Sequence, residues 1–167
     1  METNIIVYPD GRLLFKNKEY RSALGRSGVS ADKKEGDGAT PAGVFNFRES
    51  FFRPDRLEKP KTGLFARRFF PEDIWVDDPA DKMYNKLAAT PYPAHHEVMW
   101  REDEIYDIVV VIGYNDSPIV PGKGSAIFMH VARPDFSPTE GCIALRRGDL
   151  LEILRSMDIK TKIEIKM

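Results

Sequence analysis

Five consecutive β-branched residues, Ile108-Val109-Val110-Val111-Ile112, constrain this chain's fold more than any other stretch. A run this short and this apolar suits a strand buried on both faces. Similar short runs lie on either side of it. Asn4 to Tyr8 and Arg12 to Phe15 flank Pro9-Asp10-Gly11, and Asp-Gly between two such runs predicts a hairpin. Asn17-Lys18 turns the chain into Tyr20 to Leu24. Ala126 to Val131 reads as another buried strand, and Lys162 to Met167 alternates as a half-buried closing strand does. One helix is expected after Gly148, capped by Asp149, with Leu150, Leu151, Ile153 and Leu154 as its apolar face.

Residues 53–100 differ in character, being rich in Pro, Asp, Arg and aromatics without clean periodicity. Long loops with short helices or strands are expected there, and the aromatics (Phe65, Phe69, Phe70, Trp75, Tyr84, Tyr92, Trp100) favour an ordered, packed insertion. At 167 residues the chain fits one domain carrying this insertion. Lys and Arg total 25 against 26 Asp and Glu, a balance that argues against a nucleic-acid binder. No stretch reaches the length of about 20 apolar residues that spans a bilayer. The first ten residues contain no basic segment followed by an apolar core, so no secretory signal is visible. That leaves a cytoplasmic protein, or one whose export signal is unconventional or lies outside this sequence.

The chain has one cysteine, so it forms no internal disulfide. The neighbourhood of Cys142 points to chemistry. His130 follows an apolar strand, and a loop containing Pro134 and Pro138 lets the chain double back to Thr139-Glu140-Gly141-Cys142-Ile143-Ala144-Leu145. A thiol with a pKa of about 8.5 is mostly protonated at neutral pH, and a neighbouring imidazole activates it by pairing with the thiolate. Gly141 lets backbone approach a bound carbonyl, so N–H groups near Gly141 and Cys142 are candidates for an oxyanion hole. His95-His96 does not suggest a metal site: adjacent strand residues face opposite ways, and no Cys or His cluster completes a zinc pattern.

His130, then Thr139-x-Gly141-Cys142-Ile143 and Leu145, resembles the signature of the YkuD-type L,D-transpeptidases. Upstream, Asp37-Gly38-Ala39-Thr40-Pro41-Ala42-Gly43-Val44-Phe45 resembles that family's Thr-Pro-x-Gly-x-Phe segment. The resemblance covers roughly residues 22–154 and departs from the family pattern at two places. Ala144 stands where many members have Arg or Asn, and the His130-to-Cys142 gap is short, which suggests a distinct subgroup.

The resemblance implies a mainly β fold, a sandwich of mixed sheets with one or two short helices. It also implies Cys142 as acylated nucleophile, His130 as general base oriented by a backbone carbonyl such as that of Val131, and no cofactor. Peptidoglycan stem peptides would be the substrate, contacted by Arg133, Thr139 and Arg146, with either arginine meeting a stem carboxylate in place of the group missing at Ala144. Family likeness further implies cross-linking through a thioester, a periplasmic or envelope location, and acylation by carbapenems. A hydrolase of the same fold (an L,D-carboxypeptidase or amidase) and a non-catalytic peptidoglycan-binding module are the alternatives.

Overall fold

The hairpin signalled by Pro9-Asp10-Gly11 forms as expected, with β1 (Ile5–Val7) antiparallel to β2 (Arg12–Phe15), and β2 antiparallel to β3 (Lys18–Ala23). The structure is a computed structural model and describes residues 4–167, so the first three residues of the segment scanned for an export signal lie outside it. The chain continues through β4 (Val29–Ser30), β5 (Thr40–Pro41) and the ten-residue β6 (Gly43–Phe52). Next come β7 (Ala66–Arg68), β8 (Asp73–Val76), β9 (Leu87–Ala89) and β10 (His96–Val98). Strands β11 (Ile108–Ile112), β12 (Phe128–Val131) and β13 (Ile143–Leu145) precede the helix α1 (Arg147–Ser156), and β14 (Lys162–Ile165) closes the chain.

The fold is mainly β with mixed sheets. The large sheet runs β11-β12-β13-β3-β2-β1-β14-β6-β7, and β11 pairs with β6 as well. Two strands pass from one half of the architecture to the other. The first half of β6 pairs with β14 and the second half with β11, while β3 pairs with β2 at its start and with β13 at its end. Sharing strands in this way joins the halves at two corners.

The five-residue run behaves as its composition requires. All of β11 is buried, and its alternate residues serve different cores. Ile108, Val110 and Ile112 join the main core with Met129, Val131, Ile143 and Leu145, which α1 completes with Leu150, Ile153 and Leu154. Val109 and Val111 face the other way, into a second core with Phe51, Phe69, Trp75, Tyr106, Phe128 and Cys142. The period-2 alternation of strands thus splits β11, β12 and β13 into a packing face and a second face.

The insertion covers that second face. Strand β7 extends the large sheet beside β6, and β10-β8-β9 form a separate antiparallel sheet. Trp75 of β8 packs edge-on against Phe128 of β12, ring centroids 5.0 Å apart. Asn85 accepts hydrogen bonds from Trp75 Nε1 at 2.9 Å and from the Ala126 amide at 3.0 Å, which ties the insertion to the sheet.

The helix start differs from expectation. Asp149 lies inside the first turn and makes no capping bond; Arg146 holds the cap position and donates through Nη2 to Asp149 at 3.1 Å. A carboxylate within the first turn favours the helix through the dipole without satisfying a free N–H.

Candidate active site

Strand register brings His130 and Cys142 together. Strands β12 and β13 run parallel with His130 opposite Ala144 and Met129 opposite Ile143, so Cys142 lies one pleat back from Ala144 on the face His130 shares. Sheet spacing then sets their Cα atoms roughly 8 Å apart, with both side chains on one face. His130 and Cys142 line the same cavity, about 410 Å³ in volume, a size that accommodates a peptide segment.

His130 is oriented by its own strand: its Nδ1 lies 3.0 Å from the Val131 carbonyl oxygen. A carbonyl only accepts, so Nδ1 carries the proton and Nε2 is left as the acceptor. The Tyr106 ring stands edge-on to the imidazole at 5.3 Å, and the Tyr106 hydroxyl donates to Glu97. Burial holds the imidazole neutral by lowering its pKa from 6.5 to about 4, while the Val131 hydrogen bond acts in the opposite direction.

The thiol is in its resting form. Cys142 Sγ donates to the Ala126 carbonyl at 3.2 Å and accepts from the Phe128 amide at 3.4 Å. Burial raises its pKa from 9.0 to about 12. At neutral pH that favours the protonated thiol. The expected thiolate–imidazolium pair is therefore not the ground state. Desolvation penalises both charged forms, so a neutral thiol and a neutral base share the cavity.

Burial of His130 has a consequence for stability. The unfolded chain binds a proton near pH 6.5 and the folded chain only near 4, so stability is full above 6.5 and drains away as pH falls towards 4. The loss from this group should reach about 3 kcal/mol. Urea unfolding followed across that window should show the acid limb in wild type and a flatter one in His130→Asn. Equal slopes would mean that the imidazole takes up its proton freely in the fold.

The match to known proteins follows this geometry. The family model of the L,D-transpeptidase catalytic domain, YkuD, matches residues 2–165. The chain belongs to the YkuD family. Neither the search of curated proteins nor that of solved structures found a match. The family acts on peptidoglycan and is generally enzymatic.

Other site expectations fare differently in this family member. Arg133 reaches the cavity, with Nη2 3.5 Å from Asp103 Oδ2. Arg146 does not line the cavity; its exposed guanidinium is held by Asp149 at the start of α1. Thr139 borders the cavity, but its hydroxyl is engaged in the turn. It donates to the Cys142 carbonyl at 2.7 Å and accepts from the Gly141 amide at 3.1 Å. The second of these bonds engages the Gly141 N–H, one of the expected oxyanion donors, in the turn.

Packing within the chain itself also requires glycine at position 141. Its φ is +137°, and a Cβ there would stand 2.7 Å from the Ala39 carbonyl oxygen. That close approach is to the chain's own Asp37–Phe45 segment. Gly141→Ala should therefore lower the melting temperature by several degrees, at a cost of about 2 kcal/mol or more, and misplace the neighbouring Cys142. A thermal melt and thiol alkylation on the same sample would check both effects; an unchanged melt would show that the turn relaxes freely.

Several cavity residues escaped the sequence reading: Glu97 and Asp77 from the insertion, Tyr106 and Arg101 ahead of β11, and Lys33 and Glu35 before β5. Glu35 is tied into the wall, accepting from Tyr84 and Ser125 hydroxyls at 2.6 Å each. One sequence signal pointed to Lys33 and Glu35: they run directly into the Asp37–Phe45 motif, so whatever places the motif places them.

Proposed function

We propose that this chain is a cysteine-dependent L,D-transpeptidase that forms peptidoglycan cross-links through a thioester acyl-enzyme. One observation carries the reading. The thiol shares a cavity with an imidazole whose Nδ1 is locked to Val131 and whose Nε2 is left as a proton acceptor. With no resting thiolate, proton transfer to Nε2 accompanies attack on the stem peptide's carbonyl carbon. The C–S bond forms, the carbonyl electron pair moves onto oxygen, and the C–N bond then breaks as protonated His130 gives its proton to the departing amine. An amine of a second stem then attacks the thioester, and Cys142 recovers its proton through His130. Arg133 borders the cavity and is held only at 3.5 Å by Asp103, so it suits a stem carboxylate, since a guanidinium pairs with carboxylate through a planar fork. This reading carries with it an envelope location. No described helix is long and apolar enough to cross a membrane.

The test is intact mass spectrometry of the protein incubated with purified tetrapeptide muropeptides. The expected result is a covalent adduct lacking the terminal residue, and a cross-linked dimer when acceptor stems are present. A trimmed monomer as sole product, with acceptor in excess, would assign the L,D-carboxypeptidase activity instead. Absence of both adduct and product would overturn the enzymatic reading in favour of a binding module. A carbapenem should add a single covalent mass to the wild-type protein.

A further inference from the structure

We infer that the Lys33 ammonium is a catalytic residue of this site, the fixed positive charge that meets the Cys142 thiolate and the oxyanion as they form. The inference rests on the proposed cysteine chemistry and adds a charged group to it. Both Cys142 and His130 are neutral at rest, so attack creates negative charge on sulfur and then on the carbonyl oxygen. The Gly141 N–H, an expected donor for that oxygen, is committed to Thr139.

Lys33 stands at the required place. It lies between β4 and β5, lines the cavity with Cys142, and has a side chain only 4% exposed. Its Nζ is 3.5 Å from the point where a Cβ on Gly141 would sit, immediately beside the nucleophile. The ammonium donates to Asp37 Oδ1 at 2.8 Å and, at longer range, to the Lys34 carbonyl at 3.4 Å. An ammonium has three donors, so one N–H is uncommitted among the described residues. Burying a lysine charge is costly, and its partner Asp37 is itself part-exposed. A loop staple alone needs neither a buried ammonium nor a cavity-lining one.

Among the described residues no other cation is placed to do this. The thiol is faced by His130 from β12, Glu97 from β10, Tyr106 from the segment before β11, and Lys33. Glu97 disfavours the thiolate and Lys33 favours it. Arg101 and Arg133 are both held by Asp103 and bear on His130 instead. A cation in a site of low dielectric is worth more to a developing oxyanion than the same charge in water.

The experiment is the pH profile of Cys142 alkylation by iodoacetamide in the full chain, compared among wild type, Lys33→Met and Asp37→Asn. Folding of each is checked by circular dichroism. Lys33→Met should slow alkylation about tenfold at every pH below the thiol's pKa and slow acylation by stem peptide about 100-fold, with KM changed less than about threefold. Asp37→Asn breaks the ion pair and keeps the ammonium, so alkylation should be as fast as wild type or faster. Slowing by both variants alike would show that Lys33 only staples its loop, and profiles for Lys33→Met and wild type that superimpose would overturn the assignment outright. Alkylation requires no stem peptide, so a wild-type protein inactive on stem peptides would sink the transpeptidase reading while leaving this test standing.

Discussion

Cys142→Ala should abolish turnover of stem peptides, a fall of at least about 10⁴-fold, because no other group at the site forms the acyl bond. The fold should survive. Alanine leaves the Phe128 amide without the sulfur it donates to, at a cost of about 1 kcal/mol, and the second core keeps its aromatic packing. The measurement is product formation together with intact mass after exposure to stem peptide and to a carbapenem, with no adduct expected from either. A Cys142→Ala protein that still cross-links or trims stems would end the covalent mechanism proposed for this chain.

His130→Ala should reduce the acylation rate by about 10³-fold at neutral pH, with a particular pH signature. In the proposed mechanism the wild-type imidazole accepts the thiol proton, so the reaction does not wait for free thiolate. Without it the rate follows the thiolate fraction and climbs about tenfold per pH unit. Because burial pushes the thiol to about 12, that climb should continue well above pH 9 without levelling. A mutant whose residual rate is flat with pH would show that the proton goes to another base, Glu97 being a carboxylate candidate that lines the cavity and bears on the thiol.

Local patterns carried much of the fold. Ile108–Ile112 is a strand with the boundaries its composition suggests, because five β-branched residues leave a helix little chance. The Asp10-Gly11 hairpin was equally legible, since turn chemistry and flanking runs agree. Legibility failed where an outcome depends on partners distant in sequence. Residues 53–100 gave no periodic signal because their strands are three or four residues long, yet they form a sheet that roofs the second core and supply Glu97 and Asp77 to the cavity. For the site, the order of His130, Gly141 and Cys142 was informative, while the state of the pair was not. A thiol's pKa depends on what buries it, and Phe128 and Tyr106 come from other parts of the chain. Arg146 was misplaced for a plainer reason. Local sequence cannot tell a guanidinium turned towards a cavity from one that pairs with Asp149 three residues ahead.

The parallel register of β12 and β13 makes the active pair independent of the loop that joins it. The proposed nucleophile and base are spaced by the backbone lattice, a dimension that the side chains of residues 132–138 do not determine. That connection can be lengthened, shortened or replaced without moving the two reacting groups, provided both strands keep their pairing and the Thr139–Gly141 turn is kept. Arg133 and Thr139 sit on this same connection and border the cavity, so on the proposed function the segment that can vary is also one that would meet incoming peptide. In such an architecture substrate choice can be rewritten by grafting a loop while the catalytic spacing is inherited unchanged, and the short connection found here is one setting of that interchangeable part.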